Sequence, residues 1–383
     1  MLKHTATILV YLLFITISFS GLCQHTHQFH AEFITGTIAP HYSDMKILRQ
    51  NAVLGGALQY NFIPDKSSSV FELHYKKPEY GAGIEVLSLG NPEMLGKAYS
   101  IYLHWGFHAV NKNRSKLKIW FAPGVAYVSK IYDPLTNPEN TALSNHLNIY
   151  FKLASTYAYQ IASAWSIAAT VSVTHYSNGA TRFPNRGLNQ INAGFGVSRN
   201  LMSKPVQKTK NRDFPDRGLE TWLIGTIGKC DSYSTGINSS GVSYLCNTVT
   251  LGLAYRYSWF GKAGLSLDGI INRADHHYWD INWDKMLPVP DQTFFDYFRL
   301  GLCAGHEFTY RNFGFLTYAG LYVYNRVKPH DWSYLRTGFR YYLRPVVLNV
   351  TLKSVGFKAQ YLEFGAGVYL DGLSIFRKNN KRL

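Results

Sequence analysis

Apolar and polar residues alternate along most of this chain, in segments of about ten residues separated by turn signals. The segment from Trp165 to Ser177 shows the pattern most clearly. Its odd positions are apolar from Trp165 to Val173, and its even positions are mostly small or hydroxyl-bearing. Because successive strand residues point to opposite faces, one face of this segment is apolar along most of its length. The last two residues on that face are His175 and Ser177.

The same alternation predicts strands in both halves of the chain, about sixteen in all. In the first half they cover about 31–42, 51–62, 80–90, 98–109, 116–128, 146–159, 164–177 and 190–199. In the second half they cover about 219–230, 245–259, 261–271, 296–308, 313–325, 335–343, 346–354 and 357–370.

Composition favours a membrane-embedded form of this all-β fold. The chain has 28 Tyr, 23 Phe, 8 Trp and 32 Gly, whereas charged residues make up only 16%. Strands that are apolar on one face and polar on the other, in a Tyr- and Gly-rich chain, are typical of transmembrane barrels. The sequence therefore predicts an antiparallel transmembrane outer-membrane β-barrel of about 14–16 strands.

The beginning of the chain is typical of a cleaved signal peptide. Lys3 and His4 precede a short apolar core and a small-residue stretch, which predicts a signal peptide over residues 1–23. A lipidated Cys23 is the rival interpretation, but Leu22 is an unsuitable residue before such a cysteine. An exported barrel of this kind is expected in the outer membrane of a Gram-negative cell.

A polar stretch, residues 203–218, is the one credible internal boundary. It divides the mature chain into a first half, 24–202, and a second half, 219–383, which we expect to complete the same barrel. The long connections 129–145, 178–189, 231–244 and 272–295 alternate with short ones. Since such barrels have short periplasmic turns and longer external loops, the strand that ends at Ser177 is expected to run outward.

Charge and cysteine content narrow the range of partners and cofactors. The net charge of +16 is compatible with phosphorylated lipids as partners or with dispersed loop charges, and no nucleic-acid-binding motif is present. Cys230 and Cys246 would face each other across one hairpin, so they could form a disulfide. The Cys and His spacings do not resemble a metal site, and no cofactor is expected.

His175 and Ser177 are the residues with the clearest chemical potential. An imidazole and a hydroxyl two positions apart on one strand face are the components of a base-activated nucleophile. Asn189 is in phase with the apolar positions of the next strand, so it is expected near His175, where it would orient the ring. Asn178 could supply an amide to an oxyanion. The alternative is that all four are ordinary polar residues at the membrane rim.

The same residues carry a resemblance to a known family. His175-Tyr176-Ser177-Asn178, followed by Pro184-Asn185 and Gly187-Leu188, resembles the signature of the PagL-type lipid A 3-O-deacylases, often called acyloxyacyl hydrolases. The stretch FAPGVAYVSKIYDPLTNPEN and the closing segment VVLNVTLKSVGFKAQYLEFGAGVYL are also similar to longer members of that family. The clear signature covers about residues 115–200.

The resemblance implies a fold, a reaction and a set of residue roles. Family members are outer-membrane barrels, with a core of eight strands, that remove the ester-linked acyl chain at the 3 position of lipid A with a Ser-His-Glu triad. It implies Ser177 as nucleophile, His175 as base, and an oxyanion site and loop at Asn178, Gly179, Asn185 and Gly187. The glutamate position is occupied by Asn189. An uncharged orienter stabilises an imidazolium less well, so this departure counts against full activity.

The sequence therefore predicts an outer-membrane serine esterase acting on lipid A of lipopolysaccharide, without metal or organic cofactor. A homodimer is left open. Two rivals remain at this point: an inert barrel, either a pore or a structural protein, and a phospholipase acting on outer-leaflet lipids.

Overall fold

The computed structural model describes residues 25–64, 78–201, 217–233, 239–280, 282–283, 285–327, 331–356 and 358–371. Within these ranges the fold class is all-β, as predicted. The strands close into two antiparallel barrels of eight, and a separate two-stranded hairpin forms from β12 and β13. The predicted signal peptide and the basic tail at 377–382 lie outside the described residues, as does most of the polar stretch 203–218.

The first barrel is formed by the first eight strands, in chain order around its wall. It closes because β1 pairs with β2 on one side and with β8 on the other, with Phe33 opposite Phe195 in the β1–β8 register. Its strands are β1 (His25–Ile38), β2 (Val53–Pro64), β3 (Glu79–Ser88), β4 (Lys97–Asn111), β5 (Ser115–Val128), β6 (Leu147–Gln160), β7 (Trp165–Ser177) and β8 (Leu188–Asn200). A short 3-10 helix, Ser43–Leu48, follows β1.

The second barrel repeats this plan and closes where β18 pairs with β9, with Phe364 opposite Ile227. Its strands are β9 (Gly218–Tyr233), β10 (Ser239–Arg256), β11 (Gly261–Asn272), β14 (Phe298–Tyr310), β15 (Phe313–Asn325), β16 (Ser333–Tyr342), β17 (Val346–Val355) and β18 (Lys358–Asp371). The segment between β11 and β14 holds a 3-10 helix (Arg273–His276), the hairpin strands β12 (His277–Asp280) and β13 (Lys285–Pro288), and a one-turn helix α1 (Phe294–Tyr297).

Two sequence predictions about this architecture are wrong. The second half does not complete the barrel of the first, because β8 pairs with β1 and closes the first barrel by itself. The connection predicted at 231–244 is also much shorter, since β9 continues to Tyr233 and β10 begins at Ser239. The pore interpretation depended on one wide barrel. An eight-stranded barrel has an interior only wide enough for side chains to fill it.

The outward faces of both barrels are apolar. In the first barrel large apolar side chains such as Phe33, Val171 and Phe195 are more than half exposed, and Leu223 and Leu251 are their equivalents in the second. The inward positions of the same strands are polar and buried, as in the buried hydroxyls of β7 at Thr170, Ser172 and Thr174. Apolar outside and polar inside is the alternation of a transmembrane barrel wall.

Hydrogen-bonded polar groups fill much of the first barrel. Glu85 accepts hydrogen bonds from Lys152 and from the Tyr150 hydroxyl, and all three side chains are buried. Trp120 donates its indole N–H to Thr156 at 2.8 Å. A polar cavity of about 70 Å³ lies at the end where β4 meets β5, and Lys118 is among its lining residues. Pairing of this kind is what makes charged groups tolerable in a closed interior.

Ion pairs fill the second barrel to a greater extent. Glu220 receives Arg256 at 2.6 Å and Lys262 at 3.0 Å, and Lys262 also lies 3.3 Å from Glu307. Arg336 pairs with Asp268 at 2.7 Å and with Glu363 at 2.9 Å. Each of these buried charges therefore has an opposite charge beside it, which offsets the cost of its removal from water.

The three described cysteines, Cys230, Cys246 and Cys303, are free thiols. Cys230 and Cys246 do lie together, as expected from the hairpin, with their sulfur atoms 3.1 Å apart and both hydrogen-bonded to Asn272. The disulfide that these two cysteines could form is not present in this structure. Among the described helices, none is both long enough and apolar enough to cross a membrane.

Candidate active site

Strand pairing places His175 and Asn189 side by side at one end of the first barrel. β7 and β8 are antiparallel neighbours, and in their register His175 stands directly opposite Asn189, next to the pair Val173 and Ile191. Both residues belong to the outward-facing set of their strands. Side chains directly opposite each other in such a pair are about 5 Å apart at Cβ, so they can interact.

The His175 ring and the Asn189 amide are hydrogen-bonded. Nδ1 of His175 lies 2.6 Å from Oδ1 of Asn189. Because an amide oxygen can only accept, this contact requires the proton of the ring on Nδ1 and leaves Nε2 with its lone pair. Within the described residues Nε2 has no hydrogen-bond partner. A half-buried imidazole oriented in this way has the tautomer that a general base needs.

Ser177 is the last residue of β7 and stands two positions beyond His175 on the same strand face. Its side chain is 8% exposed. Its Oγ accepts hydrogen bonds from Nδ2 of Asn185 at 3.0 Å and from the backbone N–H of Gly179 at 3.2 Å. Gly179 has a φ of 65°, a conformation that glycine adopts at little cost and that turns the chain into the loop after Ser177. Two N–H donors thus converge on the candidate nucleophile.

The side chain of Asn178 is hydrogen-bonded within the loops that surround Ser177. Its side-chain amide donates to Oγ of Ser144 at 3.0 Å and to the carbonyl of Arg182 at 2.8 Å, and its Oδ1 accepts from the backbone N–H of Thr181 at 3.1 Å. Both amide hydrogens are therefore committed to holding the loop. The prediction that Asn178 belongs to an oxyanion site stays a prediction, and the N–H groups that contact Oγ of Ser177 come from Asn185 and Gly179.

Asn185 connects the loop to the strand end in a second way. Its Oδ1 accepts the backbone N–H of Asn178 at 3.0 Å, so one amide bridges Ser177 and Asn178. Gly187, with a φ of 77°, donates its backbone N–H to the carbonyl of Ala142 at 3.1 Å. These hydrogen bonds fix the 178–187 loop against the loop that follows β5.

The loop after β5 has its own internal order. Asp133 accepts hydrogen bonds from the backbone N–H groups of Thr136 and Leu135, which hold the pKa of that carboxyl below its ordinary value. Further along, Ser144 donates its hydroxyl to the carbonyl of Arg182 at 2.8 Å. The hydrogen bonds of Asp133 order this loop, and Ser144 joins it to Asn178 and Arg182 of the neighbouring loop.

Two residues of this region were not predicted from the sequence. Ser144 is buried and shared between Asn178 and Arg182, and His41 lies with its Nδ1 3.1 Å from Nδ2 of Asn189. His41 follows β1, far from Asn189 in the chain. Only the pairing of β1 with β8 brings them together, and local alternation carries no signal for that pairing.

The fold and the strand-end residues define a class of protein: an all-β chain of two closed barrels that carries a histidine, a serine and an asparagine at one end of the first barrel. Two family models match it. The model described as lipid A 3-O-deacylase (PagL) matches residues 54–198, and the model described as acyloxyacyl hydrolase, C-terminal domain, matches residues 220–371. No curated protein matches the chain.

The solved structures that are similar to the chain are bacterial barrels, and their TM-scores are low. Neisserial surface protein A, at 8% identity, has a TM-score of 0.33 and covers 46% of this chain and 97% of its own. A mutant of the Rh. blastica porin, at 9% identity, has a TM-score of 0.17 and covers 90% of this chain and 99% of its own. The fold assignment rests on the strand pairing and not on these scores.

The chain belongs to the PagL-type lipid A 3-O-deacylase family, as its sequence motifs predict. Both halves are part of the assignment, so the second barrel is a recognised C-terminal domain of acyloxyacyl hydrolases. Membership supports a role in lipid A deacylation and implies hydrolase activity on lipid A. Neither the family assignment nor the fold supports the homodimer that was left open.

Proposed function

We propose that this protein is an outer-membrane serine esterase that removes the ester-linked acyl chain at the 3-O position of lipid A. Ser177 is the nucleophile, His175 the general base and Asn189 the residue that orients the ring. The observation that carries the proposal is the 2.6 Å contact between Nδ1 of His175 and Oδ1 of Asn189, on a strand that ends in Ser177. It gives an imidazole with a free Nε2 two positions from a hydroxyl.

The proposed reaction uses His175 as the base and Ser177 as the nucleophile. Nε2 of His175 takes the proton of the Ser177 hydroxyl as Oγ attacks the ester carbonyl carbon, and the carbonyl oxygen becomes an oxyanion. Nδ2 of Asn185 and the N–H of Gly179, which contact Oγ at 3.0 and 3.2 Å, are the donors that we assign to the oxyanion formed next to Oγ. Donors placed there stabilise the developing negative charge.

The first half-reaction ends with release of the deacylated lipid, and the second regenerates the enzyme. His175, now protonated, gives its proton to the sugar oxygen as the bond to the acyl carbon breaks, and deacylated lipid leaves. A water molecule, deprotonated by His175, then attacks the acyl-Ser177 ester. The fatty acid leaves and the proton returns to Oγ, so no metal or organic group is needed to balance the reaction.

The surroundings of the site suit a lipid substrate. Val171 and Val173 precede His175 on the outward face of β7 and are 63% and 49% exposed, and Ile191 beside them on β8 is 52% exposed. An acyl chain can lie along this apolar stripe and present its ester at the strand end. Arg182, exposed in the adjacent loop, offers a positive charge suited to a phosphorylated lipid.

Membrane placement belongs to the same proposal. A lipid-facing apolar band with the site at the end of an outward-running strand brings Ser177 level with the outer leaflet, where lipopolysaccharide resides. The apolar outer faces of both barrels support this placement. The predicted signal peptide would deliver the chain to that membrane.

The test is lipid A mass spectrometry after expression in an outer membrane rich in lipopolysaccharide. We expect loss of one hydroxyacyl chain with the wild type and intact lipid A with Ser177→Ala, a decrease in rate of at least ~10³-fold. The matched control is Ser354→Ala, at the end of β17, which should behave as wild type.

Each variant is first shown to be folded by its different gel mobility with and without heating. An unchanged lipid A profile from folded wild type, or undiminished activity of Ser177→Ala, would overturn the proposal. Phospholipids from the same extract are measured in parallel. Release of lysophospholipid with intact lipid A would assign the esterase to a phospholipid substrate instead.

A further inference from the structure

The first barrel's closure brings a second histidine to the candidate site. His41 follows β1 by three residues, and the β1–β8 ladder continues past Ile38 opposite Gln190 to a hydrogen bond from Ala39 N–H to the Asn189 carbonyl at 2.9 Å. Nδ1 of His41 lies 3.1 Å from Nδ2 of Asn189. The His41 ring also packs against Tyr42, with ring centroids 4.7 Å apart. His41 and His175 therefore lie on opposite ends of one carboxamide.

A carboxamide has an orientation problem that a carboxylate does not have. Either oxygen of a carboxylate can accept the Nδ1–H of a catalytic histidine, whereas an amide offers one oxygen and one NH₂ group. If the NH₂ group faces Nδ1, that nitrogen must be the acceptor, the ring proton sits on Nε2, and the ring cannot take the proton of the serine. In serine proteases an Asp→Asn change at this position costs ~10⁴-fold through the wrong tautomer.

We propose that His41 is a positioning residue that fixes which way the Asn189 amide faces, an inference that rests on the proposed function. Neutral His41, with its proton on Nε2, accepts Nδ2–H of Asn189 at Nδ1. The amide oxygen is then directed at His175, where the contact is 2.6 Å. The ring proton of His175 stays on Nδ1 and Nε2 stays free for Ser177.

The inference explains how an asparagine serves where the family pattern has a glutamate. The hydrogen bond that Asn189 donates to His41 fixes the amide orientation, which a symmetric carboxylate would not need. It does not replace the carboxylate's charge. His41 is thus expected to act on the rate of the chemical step and not on substrate binding.

The first test compares His41→Ala and His41→Gln in the wild-type background and in Asn189→Asp. His41→Ala should lower kcat for lipid A deacylation about tenfold with KM unchanged, the effect of one hydrogen bond. His41→Gln keeps an acceptor oxygen and should recover most of that loss. In Asn189→Asp, whose two oxygens are equivalent, His41→Ala should change kcat less than about twofold.

The second test does not depend on activity. In folded protein with ¹⁵N-labelled histidine, the ring signals of His175 are assigned by comparison with His175→Ala. We expect the proton on Nδ1 in the wild type and in His41→Gln, and a mixture of the two neutral tautomers in His41→Ala. A ring tautomer that is unchanged in His41→Ala would overturn the inference.

The outcomes separate this inference from the proposed function. If the wild type deacylates lipid A, Ser177→Ala does not, and His41→Ala matches the wild type, the positioning role fails and the esterase stands. An equal loss from His41→Ala in both Asn189 backgrounds would also overturn it, since that result is the mark of a general structural effect. If the wild type has no esterase activity, the ¹⁵N experiment still decides the orientation claim.

Discussion

In the first barrel, the outward-facing positions at the end of the seventh strand are His175 and Ser177, whereas the same positions of the seventh strand in the second barrel, β17, are Leu352 and Ser354. Across the strand pair, Asn189 stands opposite His175 but Leu362 stands opposite Leu352. The two barrels share closure, alternation and polar interiors. The comparison shows that the barrel provides a scaffold and that the chemistry depends on which residues end one strand pair.

The connection after each seventh strand also differs. The first barrel has the 178–187 loop there, in which Asn185 and Gly179 direct N–H groups at Ser177. In the second barrel β17 ends at Val355 and β18 begins at Lys358, and Ser354 donates to the carbonyl of Gly356 at 3.3 Å. A serine at the end of a strand is therefore insufficient, because it also needs a base and N–H donors.

The largest expected effect is that of His175→Ala, which makes the first barrel resemble the second. Removing the base should lower lipid A deacylation by ~10³-fold, within the usual contribution of a general base and nucleophile acting together. The rate is measured by mass spectrometry of lipid A over time. Leu352→Ala is the matched control and should leave the rate unchanged. A His175→Ala variant within tenfold of the wild type would contradict the assignment of the base.

An intermediate effect is expected from Asn189→Asp. This change increases the difference between the two barrels, because it gives His175 a charged orienting group. A hydrogen bond to a charged acceptor is stronger than one to a neutral acceptor by about 1–1.5 kcal/mol, so kcat should rise about tenfold. Asn145→Asp adds the same charge to the neighbouring loop and should have no such effect. A decrease in kcat with Asn189→Asp would show that the amide has a role beyond orienting His175.

The smallest expected effect comes from Leu352→His, made in the Ser177→Ala background. It places a histidine two positions before Ser354 and reproduces the His-x-Ser spacing on β17. We expect no deacylation, because Leu362 stands where an orienting group is needed and no counterpart of the 178–187 loop follows β17 in the described chain. Measurable activity would show that spacing alone creates the site.

The strands were predictable because their signal is local. The alternation of β7 and the turn residues around it placed its ends at 164 and 177, against Trp165–Ser177 in the structure. Barrel closure was not predictable in the same way. Whether β8 pairs with β1 or leads on to β9 depends on contacts between residues some 160 positions apart, as in the pair of Phe33 and Phe195, and alternation is the same in either case.

The candidate site shows the same division between local and distant information. The proximity of Asn189 and His175 could be predicted, since both belong to the outward-facing set of adjacent strands joined by one loop. The commitment of Asn178 to Ser144 and Arg182 could not, because it depends on the fold of two loops. His41 could not be predicted either, since it reaches Asn189 only through the β1–β8 closure.

The central claim is that Ser177 is an activated nucleophile, and covalent labelling tests it most directly. The folded protein is treated with a long-chain alkyl fluorophosphonate, whose phosphorus is attacked by an activated serine Oγ with loss of fluoride. Intact-protein and peptide mass spectrometry then locate the adduct. The account predicts one adduct, on Ser177, which forms far more slowly in His175→Ala, with Ser354 unmodified. An adduct on another serine, or an unmodified Ser177 in protein that still deacylates lipid A, would contradict it.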